Sequence, residues 1–153
     1  PLEGIENNVS DKIMDVNVKA CFSFAKHCFP FMKEKKNGSI INIASVEGMK
    51  PSLGLGLYGV SKSALIMLTQ SQASEWGKYG IRSNAICPGL IKTKFSKALW
   101  SNEHIMKQVE SHLPLQRAAD PSEIAGLAVY LASQASSYTT GAVVNADGGH
   151  MLT

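Results

Sequence analysis

The run Ser39 to Ala44, Ser-Ile-Ile-Asn-Ile-Ala, mixes β-branched and small residues and is bounded by Gly38 and by the turn-forming stretch Ser45 to Gly48. A run of this kind reads as a strand buried on both faces, which requires a parallel sheet with helices packed above and below it. Ile81 to Cys87 reads as a second such strand, broken by Pro88-Gly89. Thr140-Gly141 precedes a short third strand, Ala142 to Asn145, and Asp147-Gly148-Gly149 turns the chain out. The fold class this implies is α/β, with no internal repeat, linker or second domain.

Helical periodicity fills the intervals. Ser10 is a suitable N-cap for a helix to about Lys36, whose stripe Met14, Val18, Cys21, Phe22, Ala25, Cys28, Phe29 and Met32 is expected to face the sheet. A second apolar set, Ile13, Ala20, Phe24 and Phe31, lies partly off that stripe and calls for another partner, such as a second subunit. Pro30 is expected to kink this helix or loosen its last turns, and the basic run Lys33 to Lys36 suits its C-terminus. A second helix runs from about Tyr58 to Lys78 and ends at Gly80, a suitable residue to follow it. Asp120-Pro121-Ser122-Glu123 supplies a cap, a first-turn proline and a glutamate for a third, with Ile124, Leu127, Ala128 and Leu131 on its buried side.

The chemistry concentrates between the first strand and the second helix. Ser45 falls at the strand's carboxyl end, where open α/β sheets bind ligands. Tyr58 and Lys62 are four apart, so on a helix they share a face. A free phenol ionises near pH ~10, and a neighbouring ammonium favours the phenolate. Lys62 is therefore expected to lower the Tyr58 pKa and make it a proton-transfer group, with the Ser45 hydroxyl holding a carbonyl oxygen. A lone Tyr-x-x-x-Lys is also a common surface pair; here the strand, the serine and the spacing agree. Gly54, Gly56 and Gly59 spell Gly-x-Gly-x-x-Gly, but the run does not follow its strand directly and contains Tyr58, so it reads as loop flexibility near a substrate rather than a dinucleotide turn.

Ser45 and Tyr58 stand thirteen residues apart. With Asn-Val-Lys at Asn17, Asn-Ile-Ala-Ser at Asn42 to Ser45, Tyr-Gly-Val-Ser-Lys at Tyr58 to Lys62, Asn-Ala-Ile-Cys-Pro-Gly at Asn84 to Gly89, and Asp-Gly-Gly at Asp147, the whole chain resembles the short-chain dehydrogenase/reductase family. The resemblance implies the C-terminal part of a Rossmann-type doubly wound parallel sheet, with three strands and flanking helices. It also implies NAD(P)-dependent reduction of a carbonyl or oxidation of an alcohol. Tyr58 would be the acid or base and would also contact the cofactor, Ser45 would orient the carbonyl and contact the substrate, and Lys62 would bind the nicotinamide ribose. Asn17 would support a proton relay to the lysine. The Pro88-Gly89 turn, Ile91 and Thr93 would hold the nicotinamide amide. Residues 94–113, with the loop from about 90, match the family's substrate lid, and Phe95, Leu99 and Trp100 are apolar enough to cover a substrate. His104 and His112 in this insert read as surface residues.

The segment Pro88 to Trp100 is similar to the NADP-dependent carbonyl and retinal reductase branch, which makes NADP the preferred cofactor and NAD the other. A 3-oxoacyl-(acyl-carrier-protein) reductase shares every motif, and a non-catalytic oligomerisation module is the alternative from another class. Relatives pair the helices matching 10–36 and 58–79 across subunits, so a homo-dimer or tetramer is expected. The N-terminal βαβαβ half, with its glycine-rich turn and adenosine-reading residue, has no counterpart here. The chain is thus expected to be the catalytic half of a larger enzyme, inactive alone, with an open edge on its first strand.

Composition narrows the partners. With 153 residues, 44% of them hydrophobic, the chain can bury a real core. Its net charge of +3 is dispersed, so no nucleic-acid partner is inferred. No apolar run approaches the ~18 residues of a membrane span, so no membrane partner is inferred either. Three cysteines, Cys21, Cys28 and Cys87, suit a reducing compartment, and the cytoplasm is the expected location. Cys21, His27 and Cys28 lack a second ligand pair at zinc-site spacing, so no metal is expected.

Overall fold

The computed structural model describes residues 2–153. Three strands, β1 (Gly38–Ile43), β2 (Ile81–Pro88) and β3 (Val143–Ala146), form one parallel sheet in that order. The register runs from Gly38 opposite Ile81 to Ile43 opposite Ile86, and from Ala85 opposite Val143 to Pro88 opposite Ala146. All three strands therefore deliver their carboxyl ends to one edge of the sheet. Strand β1 is paired only on its β2 side among the described residues.

Around the sheet lie α1 (Asn7–Met14), α2 (Ala20–Lys35), α3 (Gly56–Trp76), α4 (Lys97–Trp100), α5 (Glu103–His112) and α6 (Ser122–Ala132). Pleating sends alternate side chains to opposite faces. On one face Asn42 donates to Thr69 Oγ1 at 2.8 Å and Ser83 to Gln72 Oε1 at 2.8 Å, which ties β1 and β2 to α3. Ala44, Ala85 and Cys87 pack against Leu65 there, with Cys21 of α2 beside them. On the other face Ser39 Oγ and Arg82 Nη1 both donate to the Leu131 carbonyl of α6, at 2.8 and 3.0 Å. The helices thus cover both faces, as a doubly wound sheet requires.

Several local expectations are corrected. The first helix starts at Asn7 behind Glu6, which makes no side-chain cap, so Ser10 lies inside the helix rather than at its start. The helix also runs through Pro30 to Lys35 and ends on Lys36 in the left-handed region, φ 47°. Asp15–Lys19 is a π-helical turn in which the Ala20 N–H reaches back to Asp15 O. Phe22, placed on the sheet-facing stripe, is 45% exposed, whereas Phe24 and Phe31, placed off it, are 77% and 68% exposed. Helix α6 begins at Ser122, one turn position later than a cap at Asp120 implies; Asp120 still takes part, donating its N–H to Glu123 Oε2 at 2.9 Å. Helix α3 and its short 3₁₀ extension end at Gly80, whose φ of 73° suits a residue without a Cβ.

Leu131 is wholly buried, and its carbonyl anchors β1 and β2 to α6. Leu131→Ala leaves the carbonyl but opens a cavity, and should lower the unfolding free energy by about 2–5 kcal/mol in urea titration.

Candidate active site

Ser45 follows β1 in an extended conformation and is 8% exposed. Its Oγ accepts the Glu47 N–H at 3.2 Å, capping the single 3₁₀ turn Val46–Gly48. This turn lies directly on α3. A Cβ on Gly59 would stand 2.7 Å from Glu47 O, and a Cβ on Gly48 would stand 2.7 Å from the Lys62 carbonyl carbon. Two backbones approach at van der Waals distance only because both positions lack a side chain. The contact carries Tyr58 and Lys62, on the first turns of α3, to the end of β1. Gly56 and Gly59 are therefore helical rather than loop residues, and of the three glycines only Gly54, φ 81°, belongs to the connecting loop.

Tyr58 and Lys62 do share a face, with Lys62 Nζ 5.7 Å from the Tyr58 ring centroid. The ammonium nevertheless donates to the Ile43 carbonyl at 2.9 Å. The expected electrostatics is corrected accordingly. Partial burial pushes the Tyr58 phenol above its ordinary value, Glu47 acts in the same direction, and the Ser45 hydroxyl opposes them. Burial likewise lowers the Lys62 pKa, with Cys21 and then Cys87 acting in the opposite sense. The spacing fixed the shared face; the tip of a flexible lysine was free to find a backbone acceptor instead.

Asn17 sits in the π-turn, and its Nδ2 donates to Ser61 Oγ at 3.0 Å; Ser61 in turn donates to Tyr58 O at 2.7 Å. Ser61 was not singled out from the sequence, although it lies inside the Tyr-x-x-x-Lys run. It links Asn17 to the tyrosine's turn. Pro88 ends β2, and Gly89 follows it against Asp147. Ile91 forms an isolated bridge with Ala119, made by Ala119 N–H to Leu90 O and Lys92 N–H to Ala119 O, so the Ile91 N–H itself points away from that partner. The Thr93 hydroxyl pairs with Ser96 Oγ at 2.9 Å, and Trp100 Nε1 donates to Thr93 O at 2.8 Å. Trp100 thereby anchors the insert, whereas Phe95 is 87% and Leu99 41% exposed. The Phe95 ring centroid lies 6.4 Å from that of Tyr58.

A cavity of about 400 Å³ lies beside this cluster, lined by Gly89, Ile91, Leu113, Arg117, Asp147 and Gly149 among others. Ser45, Tyr58 and Lys62 do not line it, so it adjoins the Pro88-Gly89 turn rather than the serine and tyrosine.

The class of protein follows from this geometry together with comparison to known proteins. A family model described as enoyl-(acyl carrier protein) reductase matches residues 1–151. The chain belongs to the short-chain dehydrogenase/reductase family. It is 41% identical over 148 residues to dehydrogenase/reductase SDR family member 4 of Oryctolagus cuniculus, covering 97% of this chain and 57% of that protein. The human protein of the same name is 37% identical, with 95% and 52% covered. Among solved structures, a gluconate 5-dehydrogenase from Burkholderia cenocepacia in complex with NADP and tartrate superposes with a TM-score of 0.98 at 30% identity, over 100% of this chain and 60% of that one. A 4-hydroxyisoleucine dehydrogenase complexed with NADH gives 0.96 at 34%, over 100% and 63%. The chain thus spans about half the length of the curated relatives it matches. No helix among the described residues is long and apolar enough to cross a membrane.

Side-chain NMR titration of selectively labelled protein checks the electrostatics. Tyr58 should ionise above the ordinary tyrosine value and Lys62 below the ordinary lysine value. A Tyr58 midpoint below that of a free phenol would mean that Lys62 governs it after all.

Proposed function

We propose that the chain carries the catalytic part of a nicotinamide-dependent oxidoreductase that reduces a carbonyl or oxidises the corresponding alcohol. The observation that carries this reading is the convergence of Ser45, Tyr58 and Lys62 where the 46–48 turn meets α3. Tyr58 gives a proton to the carbonyl oxygen as it develops negative charge, or takes one from the alcohol. Ser45 donates a hydrogen bond to the same oxygen and fixes its position. Lys62, whose ammonium donates to Ile43 O at the end of β1, would bind the nicotinamide ribose. Asn17, through Ser61, holds the turn that carries Tyr58.

A nicotinamide carboxamide needs one donor and one acceptor, and the free Ile91 N–H and the Thr93 hydroxyl next to Pro88-Gly89 suit that pair. When bound, the nicotinamide supplies or accepts the hydride. NADP is the preferred form and NAD the other; the structural neighbours include one solved with each. Residues 90–113 act as the substrate lid, with Phe95 and Leu99 presented outward for a substrate to bury and Trp100 fixing the segment. The resemblance of Pro88 to Trp100 to the carbonyl reductase branch supports a small carbonyl compound as substrate. Reduction of a 3-oxoacyl thioester on a carrier protein is a second reading, favoured by the acyl-carrier description of the matching family model. The exposed Phe24 and Phe31 of α2 and Val60 and Met67 of α3 support pairing of these helices in a homo-oligomer. That same apolar surface is all a non-catalytic oligomerisation module would need.

Tyr58→Phe in the natural gene product should reduce NADPH-dependent turnover of a small ketone by at least about 10²-fold while leaving the fold and assembly intact. Undiminished turnover would overturn the assignment, and faster turnover of an acyl-carrier thioester than of the ketone would favour the second reading. These 153 residues alone should neither turn over substrate nor bind NADPH stoichiometrically, which calorimetry would check.

A further inference from the structure

Glu123, in the first turn of α6, holds a short segment of chain from two sides. Arg117 presents its fork to the carboxylate, with Nη1 2.8 Å from Oε2 and Nη2 2.6 Å from Oε1. The Asp120 N–H donates to the same Oε2 at 2.9 Å. Ala118 and Ala119 lie between these two grips, and Ala118 is 2% exposed. The hydrogen bonds from Arg117, and then the one from Asp120, keep the Glu123 pKa down at about 2, so the group is a carboxylate at neutral pH. Ala119 in turn meets the loop that follows Pro88-Gly89. Its N–H donates to Leu90 O at 3.0 Å, and its carbonyl accepts the Lys92 N–H at 2.8 Å. Both bonds go to the neighbours of Ile91, which turns the Ile91 N–H to the opposite side. The direction of that N–H is therefore set by Ala119, and the place of Ala119 by Glu123. Helix α6 is itself fixed to β1 and β2 through the Leu131 carbonyl. An ion pair whose side chains are 53% and 40% exposed contributes little to stability, but a two-pronged arginine contact defines geometry.

We propose that Glu123 is a positioning residue for the nicotinamide: through Arg117 and the Asp120 N–H it fixes Ala119, and so aims the Ile91 N–H at the cofactor's carboxamide. This rests on the reading of Ile91 as a carboxamide donor and goes beyond it, since it gives two residues of the lid's return path and α6 the task of orienting that donor. Only the nicotinamide end of the cofactor meets the Pro88 to Thr93 loop in that reading. Loosening the 117–120 segment should therefore weaken the hold on the nicotinamide and leave the adenosine end as it was.

The test uses the natural gene product and reads amide exchange and binding rather than turnover. Deuterium exchange, resolved by fragmentation mass spectrometry, follows the Lys92 and Ala119 amides. Calorimetry compares NADPH with adenosine 2′,5′-bisphosphate, or NADH with adenosine monophosphate, so that each dinucleotide is matched by a probe without nicotinamide. Glu123→Ala should speed exchange of both amides by about 10-fold or more. It should weaken the dinucleotide about 3- to 10-fold, the worth of one hydrogen bond, and leave the adenosine probe unchanged. Arg117→Ala should act in the same direction but less, because the Asp120 N–H keeps its acceptor, and the double variant should match Glu123→Ala. Unchanged exchange in Glu123→Ala overturns the proposal. Faster exchange with unchanged dinucleotide affinity overturns it as well, and so does equal weakening of dinucleotide and adenosine probe, because the damage is then general. A gene product that binds neither dinucleotide refutes the functional reading and the aim at a carboxamide with it, whereas the exchange comparison still decides whether Glu123 sets the loop.

Discussion

The site depends on one backbone contact, the seat of the Val46–Gly48 turn on the first turns of α3. Ser45 and Tyr58 are joined by a loop that alone would leave the strand end and the helix free to separate. Gly48 against the Lys62 backbone and Gly59 against Glu47 O remove the side chains that would hold the two segments apart. Cores are close-packed, so even one methyl group at such a contact requires movement of a backbone rather than of a side chain. The Ser45 hydroxyl, by capping the turn through Glu47 N–H, belongs both to the frame and to the candidate chemistry.

The sheet supplies the rigidity behind this contact through polar anchors in its interior. Asn42, Thr69, Gln72 and Ser83 are buried and bonded to one another, which fixes the sliding position of α3 over β1 and β2. Hydrogen bonds in such surroundings are directional and costly to break, whereas apolar contacts alone tolerate a shift along the helix. The Leu131 carbonyl does the same for α6 on the opposite face, accepting from Ser39, Arg82 and Ser136. The carboxyl ends of the three strands are thus held in register where Ser45, the Pro88-Gly89 turn and Asp147 emerge.

Strands and the major helices were legible in the sequence because runs bounded by glycine and proline and a 3.6-residue period are local signals. The observed β1, β2 and β3 lie within a residue or two of the expected runs, and Gly80 closes α3 and its extension where expected. The departures have a common origin in tertiary packing. Ser10 satisfies the local rule for a cap, yet the helix continues back to Asn7. Gly59 fits a loop pattern, yet its role is to let Glu47 O approach. Phe22 fits the stripe of an ideal α-helix; the π-turn at Asp15–Lys19 interrupts the regular progression ahead of it, and its side chain is exposed.

The sequence by itself determined the fold class, the family and the placement of Ser45, Tyr58 and Lys62 near one another, since strand-end position and four-residue helical spacing are set by local geometry. Only the tertiary structure decided their electrostatics. Whether an ammonium lowers a phenol's pKa depends on where its flexible chain ends, and here Ile43 O takes the Lys62 ammonium while burial raises the Tyr58 pKa against the opposing Ser45 hydroxyl. Burial and charge at a point in space are sums over every neighbouring segment, and no spacing along the chain encodes that sum.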